Sequence, residues 1–288
     1  MESNYKIKKK LGEGAYGKVY LIEMNNKNYA LKKIFIREMN KEEIKKQHEE
    51  INIIKNLNNQ YIVKYYDSFY EKDHLCILME YAGDSNLKSF IQKYKDSNQL
   101  IEEQIIKYII IQITLGSKEI HKSNIIHRDL TPDNVFIDDY NEIKIGDFGV
   151  SKKLEGTKYA KTIIGKYEYF APELIKREKY DYRVDIYALG CIIYELFTLN
   201  SYFHDKNIED KEGKIDTDIY NKKWQDLIEK LLQKDYHQRP CTEEIYNYVI
   251  NINNNGTKID EFTSFLINFE HIDPYNSQLS EEYFYLKK

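Results

Sequence analysis

The sequence predicts an α+β fold in two lobes: a small antiparallel sheet carrying one helix, then a larger helical lobe. Residues 5–81 break into short β-branched and aromatic runs bounded by Asn, Asp and Gly, the pattern of antiparallel strands. From Leu87 onward the text is helical, with apolar residues at helical spacing and few breakers. The change falls in Ala82-Gly83-Asp84-Ser85-Asn86, so a cleft is expected there, and ligand sites favour such boundaries.

In chain order, the strand candidates are KIKKKLG, KVYLIEM, NYALKKIF, YYDSFYE and LCILMEY, separated by turn text such as MNNKN and YEKDH. Between the third and fourth, about Lys41 to Leu57, Ile44, His48, Ile51 and Ile54 recur at helical spacing and predict one buried helix face. In the second lobe, Glu102–His121 is rich in Ile and lacks Pro, which predicts a long buried helix. Residues 184–199 are apolar almost all round and predict a central helix. Trp224–Gln233 and Thr242–Ile250 are amphipathic. The expected division is residues 1–251 as one domain, with lobes at about 5–81 and 87–251, and 252–288 as a tail packed on the second lobe or serving as a docking segment.

Composition narrows the function. With 42% hydrophobic and 31% charged residues, the chain of 288 residues is an ordered globular protein. A net charge of -4 implies no large basic surface, so nucleic acid is not an expected partner. No apolar run is long enough to span a bilayer, and MESNYKIKKK leads into LGEGAYGKVY without an apolar signal region, so neither membrane nor secretion is expected. The three cysteines, Cys76, Cys191 and Cys241, are odd in number and widely spaced, which fits a reducing, cytoplasmic compartment.

Gly12, Gly14 and Gly17 form a G-x-G-x-x-G-x-V loop with Val19. Glycines let backbone N–H groups approach phosphate oxygens closely. The same spacing opens dinucleotide-binding folds, but there a helix follows. Here KVYLIEM follows, which favours a hairpin covering phosphates. Tyr29-Ala30-Leu31-Lys32 lies on the next strand, where Lys32 and Lys33 are both available cations.

Tyr29-Ala30-Leu31-Lys32 resembles the V-A-I-K element of the protein kinase family. His127-Arg128-Asp129-Leu130-Thr131-Pro132-Asp133-Asn134, Asp147-Phe148-Gly149 and Ala171-Pro172-Glu173 follow in the family's order, and the resemblance covers roughly residues 5–250. It implies the bilobal protein-kinase-like fold. Pro132 resembles the Ser/Thr branch, and YDYRVDIYALGCIIYELF with DNVFI resembles NIMA-related kinases.

The resemblance also implies roles. Lys32 contacts the α- and β-phosphates of ATP, with Glu50 as its partner; a surface pair of Glu50 with Lys46 is the alternative. Asn134 and Asp147 offer hard oxygen ligands to Mg²⁺. Asp129 accepts the attacking hydroxyl's proton. Leu11, Val19 and Ala30 from above and Phe136 from below sandwich the adenine, Met79 is the gatekeeper, and Glu80 and Ala82 supply main-chain contacts. Asn86, with Asp84 nearby, aligns with the ribose contact. Glu173 pairs with Arg239, and Asp185 holds the catalytic-loop backbone. Arg128 before Asp129 goes with control by phosphorylation, by an activating kinase or by autophosphorylation, at Thr162. Thr157 and Tyr159 are competing acceptors, and Arg128, Lys152 and Lys46 are the cationic partners.

Two positions depart from the family. Thr131 stands where Ser/Thr kinases have Lys, and Lys166 where they have Thr. One reading is a compensated exchange that puts the Lys166 ammonium beside Asp129 or Thr131. The other is two independent losses and a pseudokinase-like nucleotide-binding scaffold. A small-molecule kinase is disfavoured by the complete segment between Asp147 and Glu173.

Overall fold

The computed structural model describes residues 5–14, 17–149, 151–153, 165–202 and 214–252. Thr157, Tyr159, Thr162 and the tail from 253 lie outside the described residues. In the first lobe the strands are β1 (Lys6–Gly14), β2 (Gly17–Met24), β3 (Lys27–Phe35), β4 (Tyr65–Glu71) and β5 (His74–Glu80), with the helix α1 (Lys41–Lys55) between β3 and β4. They form one antiparallel sheet in the order β1-β2-β3-β5-β4.

Register assigns the two faces of this sheet. Residues directly opposite across antiparallel strands share a face, and neighbours along a strand alternate. The pairs Val19↔Lys32, Leu21↔Ala30, Ala30↔Met79 and Lys32↔Ile77 therefore lie on one face. Ile22, Leu31, Cys76 and Leu78 form a buried cluster on the other, covered by Tyr5, Tyr20, Tyr29 and Phe69. Glu80 is opposite Tyr29, so its side chain leaves on that second face.

Asn40 caps α1: its side chain accepts from the Glu42 and Glu43 N–H groups, while Glu43 reaches back to the Asn40 N–H. The buried face is Gln47, Glu50, Ile51, Ile53 and Ile54. The sequence expectation for this face is corrected at two positions. Ile44 is only half-buried, and His48 is exposed beside the Tyr70 hydroxyl at 2.8 Å. A polar ring at a helical repeat position marks the face's edge as readily as its centre.

The second lobe follows as β6 (Ser85–Asn86), α2 (Leu87–Asp96), α3 (Glu103–Lys122), β7 (Ile125–Ile126), β8 (Val135–Ile137), β9 (Ile143–Ile145), β10 (Lys152–Lys153), α4 (Pro172–Ile175), α5 (Arg183–Thr198), α6 (Lys222–Leu231) and α7 (Thr242–Ile250). The short strands pair as β6-β8-β9 and β10-β7. As expected, α5 is buried almost all round and packs on α3 and α6. Trp224 of α6 is fully buried against Phe197, with ring centroids 5.3 Å apart. Cys76 and Cys191 are buried free thiols, and burial pushes the Cys76 thiol up to about 11. At the end of α7, the buried Lys107 of α3 donates to the carbonyls of Ile252 at 2.6 Å and Ile250 at 3.4 Å.

One ion pair fastens the second lobe. Arg239 is fully buried and donates to both oxygens of Glu173, at 2.6 and 2.8 Å, and to the carbonyls of Arg183 and Gln233. The expected pair is thus present, and every guanidinium nitrogen has a partner. Removing one member of such a pair leaves a buried charge uncompensated, at a cost of about 3–5 kcal/mol. Arg239→Met should lose that much in urea unfolding, and the double change with Glu173→Gln should lose less than Arg239→Met alone.

Candidate active site

The inner sheet face and α1 bring the first charges together. Ile51, Ile53 and Ile54 bury α1, and this turns Glu50 inward onto Lys32, Nζ to Oε1 2.6 Å. The Lys32 ammonium is also 3.6 Å from Asp147 Oδ1. Burial alone would lower the Lys32 pKa, but Glu50 and Asp147 outweigh it and hold it above the ordinary lysine value. Lys33 is on the other face with Glu71 and the Tyr5 hydroxyl, so register separates the two lysines. Lys46 pairs with Glu42 on the exposed side of α1, not with Glu50.

The glycine loop is a hairpin: Gly12↔Val19, Glu13↔Lys18 and Gly14↔Gly17 are paired, and a strand follows, not a helix. At Gly17 a Cβ would sit 2.4 Å from the Lys33 carbonyl oxygen, so no side chain fits there. Leu11, Gly12 and Val19 are half-buried. Ala30 and Ala82 are buried, and Met79 is half-buried. Below, the Phe136 ring lies against Gly146, where a Cβ would meet it at 2.8 Å.

The catalytic loop hangs from one carboxylate. Asp185, at the start of α5, accepts from the main-chain N–H of His127 (2.9 Å) and of Arg128 (2.9 Å), and pairs with His121 Nε2 at 2.9 Å. Burial opposes its ionisation, yet the His121 bond and charge and the nearby main-chain donor hold Asp185 below the usual carboxylate range. With its N–H so fixed, Arg128 adopts φ +68°, which turns the loop toward Asp129. The Asp129 N–H donates to His127 Nδ1 at 3.3 Å, so His127 carries its proton on Nε2, which meets the Gly146 carbonyl at 3.1 Å. The His127 ring packs edge-on to Phe148, with centroids 5.0 Å apart.

Asp129 is held from three directions. Asn134 Nδ2 donates to its Oδ2 (2.7 Å) and its carbonyl (2.8 Å), and the Lys166 main-chain N–H donates to its Oδ1 (3.0 Å). Gly165, at φ +121°, makes the last contact possible, because a Cβ there would lie 2.4 Å from the Arg128 carbonyl oxygen. Asn134 keeps its amide oxygen as an acceptor, while Asp147 is exposed with φ +57°. Among the described residues no cluster of three or more His, Cys, Asp or Glu could hold a metal by itself. One carboxylate and one amide oxygen do fit Mg²⁺ that is shared with phosphates.

The expected position of the Lys166 side chain is not met. Its ammonium sits on Asp133 Oδ2 at 2.5 Å, with Lys88 on the same carboxylate at 3.6 Å. Thr131 is buried, and its hydroxyl has no hydrogen-bond partner among the described residues. Asp133 was not singled out from the sequence, where it is only a variable position in the motif. Asn86 is committed to capping α2 through the Ser89 N–H, and Asp84 to Lys9 of β1 at 2.5 Å. Glu80 carries a further partner missed from sequence: Lys144 of β9, at 3.0 Å. Arg128 reaches the Tyr180 hydroxyl (3.4 Å) and the Ser151 carbonyl (3.5 Å).

A glycine hairpin, a lysine–glutamate pair with one aspartate 3.6 Å from the ammonium, and a second aspartate restrained on a loop are the layout of a kinase domain. The protein kinase domain family matches residues 5–249, and the chain belongs to that family. It is 36% identical over 255 residues to the serine/threonine-protein kinase Nek11 of Homo sapiens, covering 84% of this chain and 39% of that one. It is 34% identical over 260 residues to Nek2 of Mus musculus, covering 84% and 58%. It is 33% identical over 258 residues to a probable serine/threonine-protein kinase nek2 of Dictyostelium discoideum, covering 85% and 62%. The NIMA-related resemblance is thereby borne out, and the chain spans about two fifths of the length of its Nek11 relatives.

Asp185 makes stability depend on acid pH. Its folded pKa is depressed below the ordinary 3.8, so the unfolded chain takes up the proton more readily. Its contribution is complete above that value and is lost as pH falls through the folded pKa. The stability gap between the parent and Asp185→Asn, measured by urea unfolding, should be widest at neutral pH and narrow below about pH 4.

Proposed function

We propose that the domain is an ATP-dependent protein kinase that moves the γ-phosphoryl group onto a protein Ser or Thr hydroxyl. The observation that carries this is the Lys32 ammonium, 2.6 Å from Glu50 and 3.6 Å from Asp147, together with an Asp129 restrained on both carboxylate oxygens. Phosphoryl transfer depends on placement and charge neutralisation rather than covalent help. Lys32 holds the α- and β-phosphates under the Gly12–Gly17 hairpin. Val19, Ala30, Leu11 and Phe136 clasp the adenine, with Met79 behind it and the Glu80 and Ala82 main chain at its edge. Asn134 and Asp147 would hold Mg²⁺, whose charge would offset that of the phosphates. Asp129, fixed on both oxygens, orients the hydroxyl and takes its proton. The free buried thiols suit a reducing, cytoplasmic setting.

Lys166 enters this reading through its main-chain N–H on Asp129, while its ammonium is set for electrostatic duty from Asp133. The absence of a lysine on Asp129 among the described contacts favours the second reading, a scaffold with weak activity. Phosphate transfer from Mg-ATP to a generic protein substrate separates the two. Regulation is proposed at Thr162, whose phosphate would draw on Arg128 together with Lys46 and Lys152; an activating kinase or autophosphorylation would supply it.

Asp147→Asn should lower kcat by about 10²–10³-fold, the scale of losing one electrostatic contact to the transition state; transfer at the parent rate would remove Asp147 from the metal site. Thr162→Ala should lower kcat by about tenfold, the worth of one charge-assisted hydrogen bond. Mass mapping of an active preparation should find Thr162 phosphorylated, and an unmodified Thr162 with full activity in the alanine variant would refute this control.

A further inference from the structure

β9 reads Ile143-Lys144-Ile145, and all three residues are buried. A lysine among buried isoleucines must find compensation for the water it loses. Lys144 finds it outside its own lobe. Its ammonium donates to the Gln60 carbonyl, in the turn after α1, at 2.9 Å, and pairs with Glu80 Oε1 at 3.0 Å. The other Glu80 oxygen accepts from the Lys64 N–H at 3.0 Å, while the Lys64 carbonyl takes the Glu80 N–H at 2.8 Å. Glu80 is thus fixed by main chain and side chain together, on the side of the sheet away from Ala30 and Met79. Three residues beyond Lys144 on the same strand path stands Asp147. The strand is zipped to the same turn by Ile145 N–H to the Tyr61 carbonyl (2.8 Å) and Val63 N–H to the Ile145 carbonyl (2.9 Å).

We propose that Lys144 is a positioning residue for nucleotide binding: through Glu80 it sets the hinge edge that meets the purine base, and it ties that edge to the strand presenting Asp147. This rests on the proposed nucleotide cleft. Lys144 touches neither nucleotide nor protein substrate. Its removal strips the partner from Glu80 Oε1, leaving the carboxylate held only by the Lys64 N–H on Oε2, and loosens the edge against which the base is placed, so the loss appears in nucleotide affinity and not in the chemical step.

The test uses the full chain with Lys144→Met, Lys144→Arg, Glu80→Gln and the Lys144→Met/Glu80→Gln double variant. Kd for the non-hydrolysable analogue AMP-PNP is measured by calorimetry, with KM for ATP, kcat and Tm alongside. Lys144→Met should raise Kd and KM by about tenfold, the scale of one lost charge-assisted hydrogen bond. The kcat at saturating ATP should stay within about threefold, and Lys144→Arg should restore most of the affinity. Because the two residues act as one pair, the double variant should be no worse than the worse single variant. An unchanged Kd in a folded Lys144→Met chain, a loss confined to kcat, or additive effects would overturn the inference. If Lys144→Met does not fold, Glu80→Gln decides, and an unchanged Kd there overturns it equally. A parent chain that binds AMP-PNP but transfers no phosphate removes the proposed activity and leaves Lys144 to be judged on Kd. A parent that binds no nucleotide removes both.

Discussion

The buried carboxylate of Asp185 is the constraint on which the site depends. It is the first acidic residue of α5, a helix otherwise apolar almost all round, so its position is fixed by the core. Its two oxygens take the main-chain N–H groups of His127 and Arg128. This forces Arg128 into a left-handed conformation that a long side chain does not choose by itself. Everything downstream inherits that turn: the orientation of Asp129, the reach of Asn134 across to it, and the seat on which Gly165 rests. The chemistry of the cleft is in this sense set by a residue that faces the core.

A second set of contacts joins the lobes. Lys32 on the sheet, Glu50 on α1 and Asp147 beyond β9 meet at one ammonium. The turn after α1 is bonded to β9 through Tyr61, Val63 and Ile145. The helix bearing Glu50 and the strand leading to Asp147 therefore share a short mechanical path.

The long elements were legible in the sequence because each carries its own signal. The five strands of the first sheet are β-branched and aromatic runs bounded by Asn, Asp or Gly, α3 is rich in Ile without Pro, α5 is apolar almost all round, and α7 has the bounds that Thr242–Ile250 suggested. The two-residue strands β6, β7 and β10 were not legible, since such segments are defined by partners distant in sequence. In the site, Lys32–Glu50, Asp185 and Glu173–Arg239 could be read because motif position names both members. Lys166 could not. A flexible lysine stem reaches several carboxylates, and sequence does not say that Asp133 lies nearer its tip than Asp129. Asn86 likewise reads as a ribose contact until the start of α2 claims its side chain.

Lys107 gives the end of α7 an unusual mechanical property. The carbonyls of Ile250 and Ile252 are held by an ammonium rooted in α3, the longest helix, which itself packs on β7, β9 and α5. Tension arriving through residue 252 is therefore passed sideways into the body of the helical lobe and does not peel α7 from its end. Because α3 also carries His121, which meets Asp185 at 2.9 Å, the same path runs on to the carboxylate that holds the catalytic loop.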